Sequence, residues 1–124
     1  MAADPIVYCL TRDHQLAAAL DDRLAGAIAF FYNDAARLHQ AVTLRAPDLV
    51  VVDTGAVRAE YGDAGLGPVF DFLRRRIPAA RLSVRPTAEG IGHLVAAEAG
   101  PGVELLPVDL GACVDAVAAA CGCP

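Results

Sequence analysis

Four consecutive apolar residues, Leu49-Val50-Val51-Val52, three of them β-branched, stand between Pro47-Asp48 and Thr54-Gly55. An apolar run of that length, bounded by turn residues, predicts a short strand buried on both faces, as in the middle of a parallel sheet. The strand ends in a carboxylate, Asp53. Residues 5–10 (Pro-Ile-Val-Tyr-Cys-Leu) and 27–32 (Ala-Ile-Ala-Phe-Phe-Tyr) predict a first and a second strand, and residues 80–85 and 103–106 a fourth and a fifth. Between the strands the apolar spacing becomes helical. Leu16, Ala19, Leu20 and Leu24 recur at that spacing, in a helix that Thr11 or Asp13 can cap and Gly26 stops. Asn33-Asp34 caps a second helix running to about Leu44. Arg45-Ala46-Pro47 closes it, because the residue before a proline is pushed out of the helical region. Residues 54–66, with Gly55, Gly62 and Gly65, predict a long loop. Pro68 suits the first turn of the next helix, whose last turn carries Arg74-Arg75-Arg76 at the negative end of its dipole. A short helix is expected over residues 88–99, and Asp109 caps a last one through Ala120.

Five strands strictly alternating with five helices predict a parallel sheet covered on both faces. The expected fold is α/β and flavodoxin-like, a (βα)5 three-layer sandwich with two helices on one face and three on the other. Residues 1–124 form one domain. A 2-1-3-4-5 strand order sets the two most apolar strands, the first and third, side by side. Asp13 and Asp53 then face one crevice beyond the strand ends.

Composition narrows the functions open to such a fold. Hydrophobic residues make up 56% of the 124 and aromatic ones 6%, so the core must be built from Ala, Val and Leu. A net charge of -5 argues against a nucleic-acid-binding face, which needs clustered positive charge. All ten basic residues are arginine. No apolar run reaches membrane-spanning length, and Met1-Ala2-Ala3-Asp4-Pro5 lacks a basic leader, so a cytoplasmic protein with no membrane contact is expected. The four cysteines are too few and too uneven for a disulfide scaffold. Cys121-Gly122-Cys123 lacks the four ligands of a structural zinc site, and Cys9 reads as a small buried hydrophobe. His14, His39 and His93 fall on three separate helices, and no glycine-rich phosphate loop occurs. No enzyme is expected.

Three segments carry a resemblance to a known family. Residues 46–53 (Ala-Pro-Asp-Leu-Val-Val-Val-Asp), 96–100 (Ala-Ala-Glu-Ala-Gly) and 105–110 (Leu-Leu-Pro-Val-Asp-Leu) resemble, in order and at the right intervals, the receiver domain of bacterial response regulators. The resemblance covers essentially the whole chain and puts Asp53 on the phosphoacceptor position. It implies a pocket around that acid made by Thr11, Arg12, Asp13, Thr54, Thr87, Leu106 and Pro107. Phosphoryl transfer spreads negative charge over oxygens that a metal and a cation must hold. The family supplies an acidic pair for Mg²⁺ after strand one, a lysine at the end of strand five and a hydroxyl at the end of strand four. Here Thr11 and Arg12 stand at the acidic pair, with Asp13 one place further on, and Leu106 stands at the lysine. Thr87 can supply the hydroxyl.

These departures imply a degenerate, or pseudo-, receiver: a non-catalytic two-component signalling module with no cofactor, phosphorylation-independent or weakly phosphorylatable. Arg12, or Arg85, is expected to pair with Asp53 in place of the metal and lower the carboxylate's pKa. The alternative is that Arg12 points into solvent. The runner-up function is a conventional phospho-accepting receiver, with Mg²⁺ on Asp13 and Asp53 and Thr87 beside the phosphate. An enzyme on the same fold comes third, since fold does not fix function. The resemblance implies a protein partner, or a second copy of the chain, docking on the fourth helix, fifth strand and fifth helix. Ala112, Val114, Val117, Ala118 and Ala119 make the last helix apolar around its girth, which packing on the sheet would equally explain.

Overall fold

The computed structural model describes residues 4–123. Its strands β1 (Ile6–Leu10), β2 (Ile28–Tyr32), β3 (Leu49–Asp53), β4 (Arg81–Arg85) and β5 (Val103–Leu105) pair in parallel, in the order β2-β1-β3-β4-β5. All five residues of β1 and of β3 are buried, which is why both read as unbroken apolar runs. The edge strand β2 is half-exposed along its length.

Successive side chains of a strand point to opposite faces, so the two central strands feed two cores. On one face, Val7, Cys9, Leu49 and Val51 pack against Leu16 and Leu20 of α1 (His14–Arg23) and Cys113 and Val117 of α6 (Leu110–Ala120). On the other, Tyr8, Leu10, Val50 and Val52 pack beneath α2 (Ala35–Leu44), α3 (Thr54–Tyr61), α4 (Leu66–Arg76) and α5 (Gly92–Ala99). The expected caps form: Asp13 Oδ1 accepts the Gln15 and Leu16 N–H groups, Asp34 Oδ1 that of Arg37, and Asp109 Oδ2 that of Ala112. The arginines ending α4 tie down backbone carbonyls. Arg74 donates to Ala99 O, Arg75 to Asp71 O and Arg76 to Thr43 O, which accounts for them without an anionic ligand.

The architecture departs from expectation in its helices. Residues 54–66 are not a loop: α3 follows β3 without a break, and a 3₁₀ turn at Gly62–Ala64 joins it to α4. The described residues therefore hold six α-helices rather than five, two on one face of the sheet and four on the other. Two of the three glycines that signalled a loop sit at the ends of α3, where they are tolerated, and Gly65 precedes α4. Gly55 lies in the first turn of α3, and Gly62 ends it at φ 72°. The helix expected over 88–99 starts only at Gly92, after Gly90 at φ 85°. Helix α1 ends at Arg23 with Leu24 as its cap, so Gly26 lies in the turn beyond and does not stop it. Strand β5 stops at Leu105, although the Leu106 N–H still bonds Val84 O at 2.8 Å.

The join between α3 and α4 is tight at one point. A Cβ on Gly65 would meet the Tyr61 Cβ at 2.5 Å, whereas one on Gly67 would find only ordinary contact, with Glu98 O at 3.5 Å. Gly65→Ala should therefore destabilise the fold by about 1–3 kcal/mol, more than Gly67→Ala, whose new Cβ would meet only the ring of Pro68 beyond ordinary contacts. Urea denaturation of the two variants checks the order.

Candidate functional site

Because β3 is buried on both faces, its last residue delivers a carboxylate into a mostly desolvated position, and Asp53 is only 8% exposed. Two side chains reach it. Thr11, just beyond β1, is buried and donates its hydroxyl to Asp53 Oδ2 at 2.8 Å. The same hydroxyl oxygen accepts the Asp13 N–H at 3.0 Å, which fixes its direction. Arg85 ends β4 directly opposite Asp53 in the β3–β4 register. Its Nη1 lies 3.1 Å from Asp13 Oδ2 and 3.8 Å from Asp53 Oδ2: a hydrogen-bonded pair with the first and a charge contact with the second.

The rest of the Arg85 guanidinium is also engaged. Nε and Nη2 both donate to the Val108 carbonyl, at 3.1 and 2.7 Å, which ties the chain beyond β5 to the acid pair. The Arg85 carbonyl accepts the hydroxyl of Thr54, which is fully buried at the first position of α3. A planar fork with five donors can hold several acceptors at once in a way an ammonium cannot. Around this cluster lies a crevice of about 420 Å³ lined by Arg12, Asp13, Asp53, Gly55, Arg85 and Thr87, among others.

The two acids titrate in opposite directions. Burial raises the Asp53 pKa above its ordinary value, against the Thr11 hydroxyl, the Arg85 charge and the Gly55 N–H, which pull it down; the Asp13 charge adds to the rise. Asp13 is more open. Its desolvation is outweighed by the Arg85 hydrogen bond and the two N–H groups it caps, so its pKa falls.

The structure brings some of the expected pocket residues together and keeps others apart. Asp13 and Asp53 do share one crevice, with Thr87 on its exposed rim. Arg12 does not pair with Asp53: it is exposed and donates Nε to Asn33 O at 2.9 Å. Of the two arginines considered, Arg85 makes the contact, and the expected lowering of the Asp53 pKa is overturned because desolvation outweighs a charge 3.8 Å away. Leu106 is buried in the α1–α6 core, and Pro107 lies outside the crevice, beside Leu105 and Gly92. The Val108 carbonyl went unread, because a main-chain acceptor leaves no mark on residue type. His14 lines a separate groove with Tyr32, Asn33 and Arg37.

Mg²⁺ demands near-octahedral oxygens at about 2.0–2.1 Å. The space between Asp13 Oδ2 and Asp53 Oδ2 holds a guanidinium nitrogen, Asp13 Oδ1 is taken by two N–H groups, and Asp53 Oδ2 by Thr11. The described residues contain no group of three or more His, Cys, Asp or Glu able to hold a metal. As arranged, this donor set does not fit the ion.

No family model matches the sequence, and no curated protein matches it. Solved structures do. The signal receiver domain of a protein described as a Luxo repressor, from Vibrio parahaemolyticus, superposes with a TM-score of 0.67 at 12% identity, over 97% of this chain and 92% of that one. A pilus assembly-related protein from Burkholderia pseudomallei gives 0.63 at 22% identity, over 98% and 92%. A Rossmann 2x3 protein designed de novo gives 0.66 at 16% identity, over 93% and 86%. The fold is thus the flavodoxin-like α/β sandwich that receiver domains share. No described helix is long and apolar enough to cross a membrane.

A carboxylate whose folded pKa is raised favours the fold below its unfolded pKa and loses that contribution as pH rises through the folded value. Asp53→Asn should accordingly be more stable than the wild type at pH 7. The advantage should shrink as pH falls toward the ordinary value of 3.8. Asp13→Asn should lose stability at neutral pH, because the lowered pKa of Asp13 contributes above its unfolded value and is lost only in acid. Denaturant titrations from pH 7 to below 4 measure the differences from wild type.

Proposed function

We propose that this chain is a receiver-type signalling module in which a resident guanidinium holds the phosphoacceptor position where a conventional receiver would hold Mg²⁺. One observation carries the reading: Arg85 Nη1 sits between Asp13 Oδ2 and Asp53 Oδ2, while the rest of the group is anchored on Val108 O. The receiver-domain likeness supports the fold half of the proposal. The chain has no lysine to meet a phosphoryl group at the end of β5, and buried Leu106 occupies that place. On this reading the module is non-catalytic, needs no cofactor, works in the cytoplasm without phosphorylation or with little of it, and signals by protein contact.

The contact surface we propose is the face of α5, β5 and α6. Leu94 and Leu105 stand about half-exposed there beside a free sheet edge, at 54% and 46%. The apolar girth of α6 adds less than its composition promised, because Val114, Val117 and Ala118 are buried against the sheet and α1. A different protein or a second copy of the chain would fit. A concentration-dependent dimer in light scattering that Leu105→Glu dissolves would identify the second copy, and a strict monomer would leave a different protein.

A conventional phospho-accepting receiver is the second reading. It is favoured by the convergence of Asp13, Asp53 and Thr87 on one crevice. The two readings part in the presence of beryllofluoride or acetyl phosphate with millimolar Mg²⁺. The guanidinium reading expects no Mg²⁺-dependent amide shifts at Thr54, Gly55 or Thr87 and no phosphoryl mass on Asp53. It also expects Arg85→Ala to gain a Mg²⁺-dependent stabilisation that the wild type lacks, since a ligand that binds only the folded state shifts unfolding. Ready modification of wild-type Asp53 would sink it.

A further inference from the structure

At the end of the sheet opposite the acid pair, α6 closes in a turn that brings two sulfurs together. Gly122 adopts φ 72°, the left-handed conformation glycine takes at a helix end. The Cys123 N–H bonds Ala118 O at 2.8 Å and the Gly122 N–H bonds Ala119 O at 3.2 Å, so the chain folds back on its own last turn. Arg81 Nη1 anchors the same turn from the start of β4 by donating to Ala120 O at 2.8 Å. Within this frame Cys121 Sγ and Cys123 Sγ lie 3.3 Å apart. Cys121 is partly open to solvent, while Cys123 is buried with α1 and α6, its sulfur 3.7 Å from where a Cβ on Gly26 would stand.

We propose that Cys121 and Cys123 form a reversible dithiol–disulfide site that exchanges with small organic disulfides. The sulfurs must close from 3.3 Å to the bonded distance of about 2.05 Å. The accessible Cys121 thiolate attacks one sulfur of the small disulfide, forming a mixed disulfide and releasing one thiolate. The Cys123 thiolate then attacks Cys121 Sγ, closes the ring and expels the second. The two protons given up by the cysteines end on the two released thiols, and the pair of electrons lost by the protein reduces the small disulfide. Burial, and then the Cys123 sulfur, push the Cys121 thiol up, so exchange is slow at neutral pH and the site is best read at equilibrium. Cys9 and Cys113 are fully buried in the core and stay reduced. The site lies away from Asp53, and nothing in the proposed signalling role is needed for it.

The full chain is equilibrated anaerobically in graded mixtures of reduced and oxidised glutathione, quenched in acid, alkylated and weighed intact. Cleavage before Asp115 separates Cys113 from the pair, so a fragment carrying only Cys121 and Cys123 reports the ring. The expected product is an internal disulfide free of glutathione. Its oxidation constant should be about tenfold larger in the folded chain than in the same chain in denaturant, the turn acting as a raised effective concentration. Gly122→Ala, which strains the turn without touching a sulfur, should remove most of that advantage. Glutathione held on Cys121 without ring closure, a Cys9–Cys113 bond instead, a folded constant no larger than the unfolded one, or an advantage that survives Gly122→Ala would each overturn the proposal.

Discussion

The candidate site rests on a carboxylate that cannot be fully solvated. Asp53 ends a strand with neighbours on both sides and helices on both faces, so ionising it costs desolvation that only nearby donors offset. The Thr11 hydroxyl and the Arg85 guanidinium offset it in part, and the pKa stays raised. The geometry around Asp53 follows from that deficit. Thr11 is buried with its hydroxyl aimed, the Thr54 hydroxyl is tied to the Arg85 carbonyl, and the guanidinium is held between two acids and a main-chain oxygen.

Arg85 also couples elements that would otherwise be joined only through the sheet. One side chain links the end of β4 to the cap of α1 through Asp13, to the end of β3 through Asp53 and to the segment before α6 through Val108. A metal between the two acids could be released and rebound, whereas a covalently attached cation is always present. A module built this way holds one charge state at its crest, which is the physical content of the signalling role proposed for it.

The structural likenesses constrain the fold more than the function. A natural signal receiver domain and a protein designed de novo superpose on this chain almost equally well. Both answer to the same packing rule, helices on two faces of a twisted parallel sheet. The case for a receiver-type role therefore rests on what stands at the strand ends. Those ends differ from the conventional pattern in a connected way: the acidic pair, the lysine and the free metal position are all absent together, and an arginine fills the gap.

Much of this was legible in the residues alone. The unbroken apolar run of β3, the caps at Asp13, Asp34 and Asp109 and the proline at 47 marked that strand, three helix starts and the end of α2, because each acts through its immediate neighbours. Alternation and relative apolarity were enough for the strand order and for Asp13 and Asp53 sharing a crevice. The helix after β3 escaped notice because Gly55 and Gly62 read as loop residues when their place at the helix ends was unknown. Which arginine meets Asp53 was decided in three dimensions: the β3–β4 register sets Arg85 opposite the acid, while Arg12, next to Asp13 in the chain, is drawn to Asn33 O. The direction of the Asp53 pKa was likewise beyond the sequence, since it is a balance between burial and charge that depends on depth and on a few ångströms of separation.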